Sequence, residues 1–369
     1  MPDLLSLPLE QAVGQLFFIG LPGPECDAAT RALLEEIQPG GVVVFARSVR
    51  APAQLRNLLD DVRAALPIEP LISIDQEGGL VDRLRRVCAP LPSARALRQG
   101  GDAENAREQG RLTGEILRLA GCNMNFAPVL EVFNDERERL NNGLPTRVLG
   151  YSPAEVARNA GAFLDGLQSA GILGCAKHFP GIAAGAVDAH DDLPVVNLTQ
   201  RELLAYDLAP YAEFFRAGAI QTVMVGHAYY PRLSSSPDAI SSVLDESIVT
   251  GLLRDTMGFR GLVITDDLEM GAITRYGAIE QTAVQAFAAG EDMALICATP
   301  EIMQRSYRAL LAEARAGNVS EERIKASLTR IAAVKGQLAA PLPFDAARWQ
   351  ALSDEIAALS RKLGFVYGR

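Results

Sequence analysis

Lysine and histidine are scarce in this chain, with four lysines and three histidines among 369 residues. Basic charge is short overall: 35 lysines and arginines face 45 acids, for a net charge of −10. A surface with that balance lacks the basic field that nucleic-acid backbones and anionic membranes require, so neither is an expected partner. Cysteine is sparse too. The five (Cys26, Cys88, Cys122, Cys175 and Cys297) are odd in number and never form a CxxC pair. That spacing points to packing thiols in a reducing compartment and away from a disulfide framework or a zinc site. No apolar run approaches the roughly 20 residues of a membrane-spanning helix. Residues 1–5 carry no basic stretch leading into an apolar one, so the expected address is cytoplasmic. GxGxxG after a strand, GxxxxGK[ST] and HExxH are all missing, so no nucleotide, metal or other cofactor is implied.

What is present is alternation. Short apolar, β-branched runs occur at residues 16–20, 42–45, 71–75, 124–129, 173–179, 222–227, 262–266 and 293–297. Several are apolar on consecutive positions, as expected of strands covered on both faces. Helical periodicity fills the intervals at 28–37, 52–65, 103–119, 153–169, 199–216, 247–257, 278–289 and 300–316. Pro52, Pro153 and Pro300 stand in the first turn, where a missing N–H does no harm. Strand–helix alternation of this kind implies a parallel sheet with helical crossovers. Eight such units predict a single-domain α/β fold of the (β/α)8 TIM-barrel type over residues 1–340. Residues 341–369 would be a C-terminal extension packed on it. A doubly wound open sheet is the alternative, and no nucleotide-binding motif supports it.

Barrels of this type place their chemistry where strands end. Here polar groups collect at four such ends: Asp75-Gln76-Glu77-Gly78-Gly79, Lys177-His178, His227 and Asp266-Asp267. The rare residues share that rim. His178 and His227 close strands, His190 follows in the next loop, and Lys177 is the one lysine before residue 325.

These motifs resemble family 3 of the glycoside hydrolases, specifically its single-domain β-N-acetylhexosaminidase branch. The similar stretches are residues 72–79 (ISIDQEGG), 125–129 (NFAPV), 177–181 (KHFPG), Asp188-Ala189-His190, 224–227 (MVGH) and 258–272 (GFRGLVITDDLEMGA). The resemblance implies a retaining exo-β-N-acetylglucosaminidase that removes terminal GlcNAc from peptidoglycan-derived muropeptides in cell-wall recycling. It assigns Asp266 as the nucleophile, with Asp267 as the competitor one residue on, and Asp188 with His190 as an acid/base dyad. An imidazole, titrating near 6.5 in water, suits both the donation and the later acceptance of a proton. It further implies that Asp75, Arg83, Arg147, Lys177, His178 and Met224 hold the sugar. On the residues alone, Asp75 can accept from two hydroxyls while the cations and His178 donate. Glu77, followed by two glycines, reads as the brace of a tight turn, and His227 as packing with a hydrogen bond to its neighbours. The loop 181–185 is Gly-Ile-Ala-Ala-Gly where relatives carry Gly-His-Gly-Asp-Thr, and Leu80 replaces their arginine. Other readings remain: a phosphorylase of the same family, a Schiff-base lyase or aldolase using Lys177, or a barrel that binds sugar without cleaving it.

Overall fold

A computed structural model describes residues 3–140, 142–274 and 277–367. Its strands are β1 (Phe17–Gly20), β2 (Gly41–Val44), β3 (Leu71–Ile74), β4 (Gln76–Gly78), β5 (Val81–Asp82), β6 (Met124–Asn125), β7 (Leu173–Gly174), β8 (Ala176–Phe179), β9 (Thr222–Val225), β10 (Leu262–Thr265) and β11 (Ala294–Ile296). They form a parallel sheet in the order β11-β1-β2-β3, a second parallel sheet β10-β9-β8, a parallel pair β6-β7 and an antiparallel pair β4-β5. Further contacts join these pieces. Asn123 N and Phe126 N donate to Ile72 O and Ile74 O at 3.1 and 2.9 Å, tying β6 to β3. Ile264 bridges Met293 in parallel, and Thr265 N donates to Met293 O at 3.1 Å, tying β10 to β11. The result is a TIM-barrel-like α/β fold in which each expected apolar run contributes strand.

The strands are short and continuously apolar because both faces are covered. Every residue of β1, β2, β3, β9 and β10 is buried. Helix starts follow local chemistry. Asp27, Ser93, Asp102, Ser152 and Ser320 each accept a hydrogen bond from a first-turn amide of the helix they precede. Pro52, Pro153 and Pro300 open their helices.

Two expectations change. The helix expected over 199–216 is two helices, Gln200–Ala205 and Ala209–Ala217. Between them Asp207 turns inward to pair with Arg137 at 2.5 Å, and Tyr206 Oη donates to Phe133 O and Tyr151 O. Pro210, which has no N–H, stands in the first turn of the second piece. The strand expected over 173–179 is interrupted at Cys175, with a register shift against β9. The β4–β5 hairpin was not legible as strand; Gly78 and Gly79 make it possible with φ of 96° and 58°. A Cβ on Gly78 would stand 2.1 Å from Pro92 O.

Residues after 340 form a helix, Ala346–Lys362, that buries Trp349, Leu352, Ile356 and Leu359. No helix among the described residues is long and apolar enough to cross a membrane.

At the N-terminal edge of β1, opposite the strand ends that carry the rim motifs, Lys335 is fully buried and donates to Gln15 Oε1 at 2.7 Å. Burial pushes its ammonium down to about 7. A lysine with a folded pKa below its unfolded value of about 10.4 binds more protons unfolded than folded between those limits. It therefore subtracts stability at neutral pH, and that loss is relieved as pH rises. The unfolding free energy of the wild type relative to Lys335→Met, from urea melts, is expected to grow by roughly 2–3 kcal/mol between pH 7.5 and 9.5. A constant difference would contradict this account.

Candidate active site

The C-terminal ends of the strands surround a cavity of about 960 Å³, counted to the open solvent. Asp75, Arg83, Arg147, Lys177, His178, Asp188, His190, Met224 and Asp266 all line it, as do Glu77 and Asp267. Every site residue expected from the sequence thus meets in one place.

Its floor is a buried charge cluster. Lys177, projecting from β8, sits between Asp75 Oδ1 and Glu77 Oε1, each at 2.7 Å. Arg147 grips Glu77 with two hydrogen bonds of 2.8 Å, Nε to Oε2 and Nη2 to Oε1. Arg83 Nη2 lies 3.5 Å from Asp75 Oδ2. Burial alone would raise both carboxyls, yet both are lowered. Lys177 and Arg83 outweigh it for Asp75, and Arg147 and Lys177 for Glu77, which falls far below the ordinary range. For Lys177, burial pulls the amine down, but Asp75 and Glu77 raise it above its usual value. The lysine is a locked ammonium. Glu77 therefore does more than brace a turn: the β4–β5 hairpin aims it inward as the shared counter-ion of Lys177 and Arg147.

His178 is neutral, because burial and then Arg147 and Lys177 hold its pKa well below the imidazole range. Its Nδ1 faces Glu131 Oε1 at 3.4 Å, and its Nε2 faces Arg147 Nη2 at 3.4 Å. With Nδ1–H toward the carboxyl, Nε2 accepts from the guanidinium. On the cavity side this ring is set as an acceptor, whereas the sequence reading made it a donor. Glu131, which that reading missed, takes three backbone amides: His178 N at 3.2 Å, and Ile182 N and Ala183 N at 2.9 Å. Burial, with Asp207 adding, still pushes its carboxyl up to about 7. It holds down the first turn of the loop that carries Asp188 and His190. Its signal in the sequence was faint, an acid two residues beyond an apolar run.

On that loop, Asp188 Oδ1 accepts from His190 N at 3.0 Å and lies 2.8 Å from His190 Nδ1. Burial raises the Asp188 carboxyl, but the His190 backbone and ring contacts prevail and lower it. The imidazole is 70% exposed. The loop leans on the segment after β10, where Gly271 N donates to His190 O and Ala272 N to Ala189 O, at 3.3 and 3.1 Å.

The two adjacent aspartates differ in what surrounds them. Asp267 Oδ1 accepts from Glu269 N at 3.0 Å and Cys297 N at 3.2 Å, and burial pushes its carboxyl up to about 7. Asp266 Oδ1 accepts from Asp267 N at 2.8 Å, and its other oxygen has no hydrogen-bond partner among the described residues. His227 is neutral through burial. It donates from Nε2 to Asp267 O at 2.9 Å and accepts at Nδ1 from Ser241 Oγ at 3.0 Å. It pins the backbone beside Asp266, packing and hydrogen-bonding as the sequence reading expects. Met224, on β9 in register with Ile264 of β10, supplies apolar wall. Among the described residues no group of three or more His, Cys, Asp or Glu is arranged to hold a metal ion.

Comparison with known proteins agrees with this geometry. Residues 8–334 match the family described as "Glycosyl hydrolase family 3 N terminal domain". A Beta-hexosaminidase of Methylococcus capsulatus is 34% identical over 293 residues, covering 79% of this chain and 85% of its own. A family 3 β-N-acetylglucosaminidase structure from Paenibacillus sp. superposes with a TM-score of 0.87 at 34% identity, over 96% of this chain and 69% of that one. A β-N-acetylhexosaminidase structure from Beutenbergia cavernae gives 0.81 at 29% identity, over 90% and 99%.

Glu77 is the anion whose removal leaves Arg147 without a carboxylate in hydrogen-bond contact and Lys177 with Asp75 alone. Replacing it by Gln is expected to cost about 3–5 kcal/mol at pH 7, read from urea unfolding. Because its carboxyl is lowered, the stabilisation is present above the ordinary carboxylate range near 4 and lost only as pH falls below it. The variant's deficit should therefore shrink in acid.

Proposed function

The chain belongs to glycosyl hydrolase family 3, and from that premise and the cavity's geometry we propose that it is a retaining exo-β-N-acetylglucosaminidase. The observation that carries the reading is the meeting, in one cavity, of Asp266, the Asp188–His190 pair and the Asp75–Glu77–Lys177–Arg147 cluster. Its substrates are terminal non-reducing GlcNAc residues, with peptidoglycan-derived muropeptides of cell-wall recycling as the natural class and the cytoplasm as the place of action. We read the joined strands as the eight-stranded barrel expected of residues 1–340, and 341–369 as an extension packed on it.

In the proposed reaction the terminal sugar lies over the charge cluster. Asp75 accepts from its hydroxyls, and Arg83, Arg147 and Lys177 donate. Because the cluster is already ion-paired, these donors and acceptors are oriented before the sugar arrives. Asp266 attacks the anomeric carbon to form a glycosyl-enzyme, while His190, oriented through Nδ1 by Asp188, protonates the leaving oxygen from Nε2. The same imidazole then takes a proton from the water that releases the sugar. The aspartate pair supports Asp266 for attack, since Asp267 Oδ1 is fixed by two backbone amides, those of Glu269 and Cys297, whereas Asp266 Oδ1 accepts only from the amide of its neighbour Asp267.

Lys177 also bears on the lyase reading. A Schiff-base lysine needs a lowered pKa, and this one is raised by two carboxylates in contact. Borohydride should trap no adduct on it.

Wild-type protein should release the phenol from an aryl β-N-acetylglucosaminide at the same rate with and without phosphate, and Asp266→Ala should lose about a thousand-fold or more. His190→Ala should lose roughly 10²–10⁴-fold on substrates with poor leaving groups and far less on activated aryl glycosides, because only the former need strong protonation. Equal losses on both would remove His190 from the role of acid.

A further inference from the structure

The helix Ala346–Lys362 lies outside the stretch that matches the family, residues 8–334. Three of its side chains hydrogen-bond to consecutive parts of one loop. Trp349 Nε1 donates to Val87 O at 3.0 Å, Ala89 N donates to Ser353 Oγ at 2.9 Å, and Ser360 Oγ donates to Pro90 O at 2.9 Å. Beyond the helix, the Tyr367 ring sits 5.4 Å from the Arg85 guanidinium, which itself donates to Asp82 O at 3.0 Å.

That loop carries Arg83. Its path back to the cavity is a chain of hydrogen bonds. Val87 N and Cys88 N donate to Leu84 O at 2.8 and 3.0 Å. Leu84 N and Leu91 N donate to Asp82 Oδ1 and Oδ2 at 3.0 and 2.9 Å. Gln76 Nε2 donates to Asp82 Oδ1 at 2.7 Å, and Arg83 N donates to Gln76 Oε1 at 2.9 Å. Residues 83–91 form no strand or helix of their own, so the outer turn depends on the helix for much of its backbone pairing. The loop is wedged between the site and the C-terminal helix.

We propose that Trp349, Ser353 and Ser360 are positioning residues for the sugar site: they clamp loop 83–91 so that Arg83 is held beside Asp75. The proposal rests on the reading of this cavity as the sugar site. Arg83 is held by its backbone, by one long ion-pair contact and by the Phe45 ring 5.5 Å from its guanidinium, and such a group is sensitive to loop mobility, because each lost constraint multiplies the conformations that binding must freeze. The aspartate nucleophile and the His190 loop stand on other elements, and the clamp does not touch them.

Truncating the helix would expose its buried apolar face, so the test uses three side chains, Trp349→Phe, Ser353→Ala and Ser360→Ala, combined in one full-length protein. With an aryl β-N-acetylglucosaminide, KM is expected to rise roughly 5–20-fold while kcat stays within about two-fold, the pattern of lost uniform binding. In an Arg83→Ala background the same three changes should add less than about two-fold to KM, because the clamp acts through that arginine. Hydrogen exchange at residues 83–91 should quicken by about ten-fold or more, with β3 unchanged. An unchanged KM, or a fall in kcat alone, overturns the proposal and leaves the helix a merely stabilising element. Additive KM effects in the Arg83→Ala background also overturn it. If the wild type itself fails to turn over the glycoside, the sugar-site reading is what falls, and unchanged exchange at 83–91 would still refute the clamp.

Discussion

A lysine ammonium buried at the end of a strand would ordinarily lose its proton, because removing a charge from water costs far more than a neutral amine does. Lys177 keeps its charge because Asp75 and Glu77 each approach it to 2.7 Å. Glu77 in turn stays ionised because Arg147 grips both its oxygens. None of these groups is stable in the interior without the others, so the hairpin bearing Glu77, the loop bearing Arg147 and the strand bearing Lys177 must come together as a unit. The outcome is a cavity floor whose donors and acceptors are set by mutual pairing, independent of any ligand.

The other half of the cavity is built differently. The Asp188–His190 pair rides on a loop, with the imidazole largely in solvent. Backbone bonds to Gly271 and Ala272 lean it against the segment that follows Asp266. Glu131 anchors its beginning through three amides. An ion-paired floor next to a solvent-facing rim suits a division between holding a sugar and moving protons, which is the division the proposed reaction requires.

Much of this was legible in the chain. Consecutive apolar runs marked the strands, since a strand covered on both faces has no polar side to alternate with. The ends of those runs held the rim residues, and the scarcity of lysine and histidine drew attention to Lys177, His178 and His190. Other features were hidden for physical reasons. The direction of Glu77 depends on a hairpin whose glycines look like any tight turn. The role of Glu131 depends on amides about fifty residues away. The break at Tyr206–Leu208 follows from Asp207 finding Arg137, seventy residues earlier, and local helical periodicity carries no trace of that partner. The clamp by Ala346–Lys362 pairs residues more than 260 positions apart, on a helix whose own pattern shows only that one face is apolar.

The sequence by itself therefore determined the alternation of strands and helices, the rim on which polar groups gather and the family those groups resemble. These depend on period, on chain ends of strands and on residue type, all of which are local. Only the tertiary structure decided which carboxylate neutralises which cation, which tautomer His178 adopts, and which of two neighbouring aspartates is fixed by two backbone amides. Those depend on distances across the fold, because charge and hydrogen-bond energies in a low-dielectric interior change steeply over an ångström or two.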